Sequence, residues 1–524
     1  MLNLHVPAAD PVLQHPAETR PKAVSAWLDR LPLASPADTA QQLVMALYTL
    51  NRHPLDADDR LALLALYRPV VARAAVGLEA LLADPGVPPN DIQRQIGTLL
   101  RELLIEHSIG YKQVLLTLTS RRFGRAAPKR TAEAVARLLA ALRDIQTACF
   151  LAYLPLPAVL WQEMHRLHAY AHASGLADLA EGDAPPPSLA YRQALLIALA
   201  DPPHMNHAEL IHTRLYLDKF AGLAQLGAAL ASGHPGFPVD VGADAPPSPL
   251  AASQPAGGLW LDTDALCRHL HDAAVRLRKG DTPGRIGLPP GLEDEPTQAL
   301  FARLLKQWSG GAQRAFKRYV STGSTVQVVA GVSAIHQLLN QGAPAARPEP
   351  DGADSLPPPE AGRAPAAPAA VAPTQWTVDN DSATGLALSG APNPPLKLKV
   401  GDPLALRSDE ETGWSLGVIR WVRMRDARQV ELGVERLSPQ IQPVWVRTVR
   451  GQRKAHPEPA LFVPGQAALK QRDRLLLPRN LYQIGYDAEV WYTQHQNMLT
   501  FGRCLEHTPS FDLIDFTLFE DTQP

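Results

Sequence analysis

Four side chains and one glycine hold the chemistry that this sequence offers. Arg314 and Arg318 stand four apart in Arg314-Ala315-Phe316-Lys317-Arg318, just ahead of a strand-like run from Thr325 to Val329. Asn380 and Ser382 stand two apart in Asn380-Asp381-Ser382-Ala383-Thr384-Gly385, some sixty residues further on. Arginine's planar fork donates two parallel hydrogen bonds to paired acceptors, stacks on flat rings and neutralises phosphate. Asparagine and serine two apart on a strand point to the same face, so both can meet one ligand edge. Gly385 permits close backbone approach, or a positive φ, at the strand turn. Plainer readings exist for the same residues. Arg314, Lys317 and Arg318 can be the exposed end of a helix starting at Glu295, and Asn380-Asp381-Ser382 an ordinary Asx-type turn.

Those residues need elements to position them, and composition bounds what the elements can be. A chain of 524 residues is long enough for about three or four domains. The formal net charge is −2, so there is no global basic field for a nucleic-acid polymer and any anion site is local. Cys149, Cys267 and Cys504 are odd in number and far apart, which argues against a disulfide framework or a cysteine zinc site. The N-terminus lacks a basic segment followed by an apolar one, so no signal peptide is read there. The apolar run from Ala148 to Trp161 contains Pro155 and Pro157 and is shorter than a ~20-residue span. The expectation is a soluble, cytoplasmic protein with no membrane insertion.

From about residue 22 to 232 the apolar spacing is helical and reads as a scaffold domain. Ser35-Pro36-Ala37-Asp38 is a helix start, with a hydroxyl N-cap, proline at the first position and an acid in the first turn. Further helices are expected at Asp59–Ala83, Asp91–Arg121, Thr131–Leu154, Ala158–Ser174, Ser188–Ala200 and His207–Leu226. After a proline-dense stretch, Thr263–Arg278 and Glu295–Trp308 form a helical extension over residues 258–311. His165, His168 and His172 share one helical face near Glu163, a conceivable metal cluster. Without H-E-x-x-H, the favoured reading is a solvated or partly packed face, and His204, His207 and His212 are read likewise. Arg121-Arg122-Phe123-Gly124-Arg125 with Lys129-Arg130 is a basic patch, read as a solvated helix end. No nucleophile elbow, phosphate-binding glycine loop or paired-acid site is visible, so the expectation is no catalytic residue, no metal and no enzyme.

Residues 342–373 are almost all Ala, Pro, Gly and acids and read as a spacer. Beyond them the periodicity becomes two. Strands are expected at 376–378, 385–388, 396–400, 404–406, 414–423 and 429–434, then at 460–463, 473–477, 488–492, 499–504 and 511–519. Short antiparallel strands in such runs close into small barrels.

R-x-x-x-R followed by N-x-S-x-x-G, with Gly417-Val418-Ile419-Arg420-Trp421 and Glu431-Leu432-Gly433-Val434-Glu435 as a trailing strand pair, resembles the PilZ domain over about residues 312–445. The resemblance implies a six-stranded antiparallel β-barrel built from 312–341 and 374–445, with 342–373 as an inserted linker. It also implies a bacterial second-messenger receptor, with cyclic di-GMP as ligand and no other cofactor. It assigns ligand contacts to Arg314, Arg318, Asn380, Ser382 and Gly385. The guanine O6 and N7 acceptors and the phosphates suit the arginines. Residues 446–524 lack both motifs and read as a second β-barrel, a degenerate PilZ-like copy. Trp491, Tyr492, Phe511, Phe516 and Phe519 are read as its core. The whole is an α+β multidomain chain: an all-α N-terminal domain, a PilZ-like barrel and a second small barrel. The function expected is a receptor that couples dinucleotide binding to a helical domain holding an unidentified protein partner. The alternative is an adaptor whose barrels no longer bind nucleotide.

Overall fold

The computed structural model describes the chain except residues 1, 9–16, 84–85, 121–127, 231–235, 248–257, 290–291, 293–294, 311–318, 321–322, 342–370, 383, 392–396, 409–410, 427–428, 451–452, 455, 466–470, 493–494 and 520–524. Two compact units result: Met1–Pro85 with Pro89–Arg314, and Gly86–Pro88 with Ala315–Pro524.

The first unit contains α1 (Pro21–Leu28), α2 (Pro36–Arg52), α3 (Ala57–Leu81), α4 (Asp91–Ser120), α5 (Pro128–Leu151), α6 (Leu160–Ala173), α7 (Pro187–Leu199) and α8 (His207–Phe220). A small antiparallel sheet follows, with β3 (Leu259–Asp262) between β1 (Gln225–Gly227) and β2 (Phe237–Val239), and then α9 (Asp264–Arg278) and α10 (Glu295–Trp308). Neither α1 nor this sheet was legible in the sequence, because three- and four-residue strands carry almost no periodicity. The caps are local. The Asp56 carboxylate accepts from the Asp58 and Asp59 amides, and Asn206 with Glu209 closes a reciprocal capping box. Ser35 occupies the cap position of α2, but its hydroxyl donates to Asp38 Oδ2 at 2.7 Å and makes no backbone cap. α3 is the one helix among the described residues long and apolar enough to cross a membrane, and it turns Leu63, Leu64, Tyr67, Val71 and Leu78 into the helical core.

The expected histidine face is divided by packing. His165 is fully buried, its Nδ1 2.6 Å from the Tyr191 hydroxyl and its Nε2 3.1 Å from the Ala245 carbonyl. His168 stacks on Tyr191, and burial pushes its imidazole down to about 4; His172 is exposed. Glu163 is engaged elsewhere, 2.6 Å from Lys112 Nζ in a buried ion pair. Residues 121–125 of the basic patch lie outside the described residues, while Lys129 reaches Glu181 at 3.3 Å.

The second unit holds two closed barrels. The first uses β5 (Thr325–Ala330), β6 (Thr374–Ser382), β7 (Gly385–Gly390), β8 (Pro403–Ser408), β9 (Ser415–Met424) and β10 (Val430–Ser438), with the ring closed between β6 and β7. A two-residue strand, β4 (Tyr319–Val320), extends the β5 side of β6, and α11 (Val332–Asn340) follows β5. The second barrel uses β11 (Gln442–Arg450), β13 (Glu458–Val463), β14 (Arg474–Pro478), β15 (Asp487–Trp491), β16 (Gln496–His507) and β17 (Phe511–Leu518). Closure is between β11 and β15, and β12 (Arg453–Lys454) extends a hairpin from β11. The expected strand at 396–400 does not form: Leu398 makes only an isolated bridge, and residues 392–396 lie outside the described set. β11 and α11 went unforeseen. β11 spans the expected 445/446 boundary and pairs wholly within the second barrel.

Inside the second barrel Val444, Val446, Leu475, Val490 and Phe501 form a core of their own. Between the barrels lies another cluster, in which Val329, Ala405, Leu416 and Val418 pack with Ile335 of α11 and with Leu461, Leu476, Phe511 and Leu513. The expected aromatic core is therefore divided. Phe511 belongs to the inter-barrel cluster, Trp491, Tyr492 and Phe516 are half-buried, and Phe519 is 54% exposed.

Candidate ligand-binding site

The β6–β7 hairpin carries the N-x-S-x-x-G residues, and its register decides where they point. β6 pairs Val378 with Leu388 and then Asn380 with Ala387, so Asp379 is an extra residue, a bulge. Its carboxylate is held by the Ser389 hydroxyl at 2.8 Å. A bulge reverses the side-chain alternation downstream of it. Trp376 and Val378 point into the barrel, whereas Asn380 and Ser382, opposite Ala387 and Gly385, point outward.

The outward row crosses four strands. Asn380 stands opposite Ala387, Ala387 opposite Gly433 and Gly433 opposite Trp421. A Cβ on Gly433 would lie 1.7 Å from Trp421 Nε1, so the indole lies flat over the glycine. Small residues beside this indole make a floor on the barrel's outside. Asn380 has no side-chain partner among the described residues and is half-buried at the edge of that floor. The Ser382 hydroxyl donates to the Gly385 carbonyl at 2.9 Å and accepts from its amide at 3.2 Å, closing the turn.

Gly385 is needed for close approach: a Cβ there would meet the Val434 carbonyl oxygen at 2.5 Å. β10 clasps the turn from its other side, where the Arg436 amide donates to the Thr384 carbonyl at 2.9 Å. The Arg436 guanidinium reaches Asp381 Oδ2 at 3.3 Å, while Asp381 Oδ1 is buried without a partner among the described residues. Asp381 and Arg436 were not expected to matter. Their signal was hidden because Asp381 occupies a variable position of the motif and Arg436 comes from a distant strand.

Arg314 and Arg318 lie outside the described residues. The chain just after them is placed: Tyr319 pairs with Asp381 and Val320 with Asn380. Thus the structure brings Asn380, Ser382 and Gly385 together and sets the exit of the arginine segment beside them.

A second cluster, unforeseen, lies in the second barrel. Ligand atoms of Cys504, His507 and Asp512 fall within 4.8 Å of one another. Arg479 shares the cluster, 3.0 Å from Asp512 Oδ1 and 2.7 Å from His507 Nδ1, and so already neutralises the carboxylate a cation would use.

An N-x-S-x-x-G hairpin on the outside of a closed six-stranded barrel, in a chain that also carries a second barrel and a helical domain, defines a PilZ-type ligand module. The comparisons agree domain by domain. Residues 22–231 match the N-terminal domain of the cyclic-di-GMP receptor FimW, residues 360–443 its middle PilZ domain and residues 444–519 its C-terminal beta-barrel domain. The chain belongs to this family. The cyclic-di-GMP receptor FimW of Pseudomonas aeruginosa is 25% identical over 572 aligned positions, covering 98% of this chain and 93% of the relative. No solved structure matches. The PilZ match begins after β5, yet β5 pairs with β6 and β8 and is a full member of the ring.

Proposed function

We propose that this protein is a receptor for cyclic di-GMP, not an enzyme, and that its ligand lies on the floor formed by Asn380, Ala387, Gly433 and Trp421. The observation that carries this reading is the pairing of Tyr319 with Asp381. Consecutive Cα atoms are about 3.8 Å apart, so Arg318 starts within side-chain reach of Ser382, and Arg314 follows at most about 14 Å of chain away. Two arginine forks then serve the guanine O6 and N7 acceptors and the phosphates, and Asn380 meets a base edge. Gly385 keeps the hairpin seated on β10 beneath them. Only a state in which both forks reach the ligand gains these contacts, and that difference in affinity is what shifts the population. The helical domain is the part suited to hold a protein partner.

Calorimetric titration of the full chain with cyclic di-GMP tests this. Arg314→Ala and Arg318→Ala should each lose about 1–3 kcal/mol, tenfold or more in affinity. Equal binding by wild type and the double variant would sink the assignment.

A further inference from the structure

The outward row through Ser382 does not end at the hairpin. Ser382 stands opposite Gly385, Gly385 opposite Glu435, and Glu435 opposite Val418. Direct partners share a face, so all four lie on the outer surface of the first barrel. Val418 is nonetheless fully buried, since it packs into the cluster that Leu461, Leu476, Phe511 and Leu513 of the second barrel complete. The ligand hairpin therefore adjoins the seam between the barrels.

Two bulges face each other across that seam. β9 pairs Trp421 with Gly433 and Ile419 with Val434, which leaves Arg420 as an extra residue. β16 pairs Cys504 with Ile514 and Glu506 with Leu513, which leaves Leu505 extra. Each bulge gives up ladder hydrogen bonds and re-aims the side chains around it. Here the re-aimed side chains meet: Arg420 binds Glu506 through Nη1 and, at 3.1 Å, through Nη2, and it binds Glu435 through Nε at 2.5 Å. Glu435 is the residue opposite Gly385. Burial pulls the Arg420 guanidinium down, and the hydrogen bonds and charges of Glu506 and Glu435 outweigh it and raise it. The three side chains remain 34%, 20% and 46% exposed, so water screens the bridge. Its consequence is direction rather than strength: it ties one strand of each barrel to the ligand turn.

We propose that Glu506 of the second barrel is a positioning residue for the ligand hairpin of the first, acting through Arg420 and Glu435. Ligand held at Ser382 and Gly385 is then felt in β16, and by thermodynamic reciprocity β16 sets the affinity of the hairpin. This rests on the receptor reading given above.

Amide hydrogen exchange of the full chain, with and without cyclic di-GMP, tests it. In wild type the ligand should slow exchange at residues 382–390 and also along Gln496–His507. Glu506→Gln, of equal shape but uncharged, should keep the first effect and lose the second, and Glu506→Asp should recover most of it. Wild-type protection confined to the first barrel, or β16 protection that survives Glu506→Gln, overturns the proposal. Should wild type show no ligand-dependent protection anywhere, the receptor reading itself falls and the coupling is decided without ligand. Glu506→Gln must then speed exchange at Gly385–Gly390 about fivefold relative to Arg503→Ala, an exposed change on the same strand. Equal exchange in the two variants overturns the coupling.

Discussion

Around the first barrel the strands run β5–β6–β7–β10–β9–β8, and around the second β11–β13–β14–β17–β16–β15. Counted from its own first strand, each ring has the order 1–2–3–6–5–4. The barrels differ in what joins the strands. In the first, two residues link Ser382 to Gly385, and the link between its first two strands carries α11 and the proline-rich spacer. In the second, the first link is a short extension through β12, while ten residues separate Val463 from Arg474 and contain no N-x-S-x-x-G. One wiring thus supports the N-x-S-x-x-G hairpin in one barrel and a buttress in the other. A closed ring takes its stability from its inward residues, which leaves hairpins and outward rows free to differ.

The same contrast appears where the first and fourth strands of each ring meet. In the second barrel Arg447 and Glu489 form a buried ion pair, Nε to Oε2 at 2.7 Å, with the guanidinium over Trp491. In the first, Arg407 stacks on Trp414 but donates to the neutral Gln327 amide at 2.7 Å. Removing one partner of a buried pair strands the other charge, so Arg447→Met should cost about 3–5 kcal/mol in urea unfolding. An effect below about 1 kcal/mol would show that the two seams are equivalent after all.

Gly385→Ala forces a Cβ against the Val434 carbonyl oxygen and should weaken cyclic di-GMP binding tenfold or more, about 1.4 kcal/mol, by calorimetry. Gly413→Ala in the same barrel, with nothing within 4 Å of the added carbon, should leave binding unchanged. Equal losses at the two glycines would remove the argument that the hairpin must seat on β10.

His336 of α11 is 3% exposed against Trp445, and burial pushes its imidazole down to about 4. The folded state holds it neutral, while the unfolded chain protonates near 6.5. Stability of the barrel pair should therefore be full above pH 6.5. It should fall by about 1 kcal/mol per pH unit as the pH drops toward 4. His336→Phe should flatten that slope in pH-dependent unfolding; an unchanged slope assigns the acid sensitivity elsewhere. The smallest effect belongs to Arg407→Met, about 1 kcal/mol or less, because the amide it leaves behind is neutral and half-buried.

The long helices α3, α4 and α5 were legible in the sequence to within three residues at each end. Asp91–Arg121 was expected and Asp91–Ser120 forms, because thirty residues of amphipathic periodicity outweigh local ambiguity. Legible too were most barrel strands and the hairpin that bears Asn380, Ser382 and Gly385. Not legible were β11, whose arginine and proline residues obscure the alternation, and α11, whose nine residues are held by packing between the barrels.

What the sequence determined by itself was most of the longer elements, the motif residues and the order of the domains, since all of these follow from local periodicity and residue type. The facing of those residues was decided only in three dimensions. One extra residue at Asp379 turns Asn380 and Ser382 outward, and one at Arg420 turns a guanidinium toward Glu506. A bulge is a mismatch between two strands, and a mismatch exists only when both strands are paired.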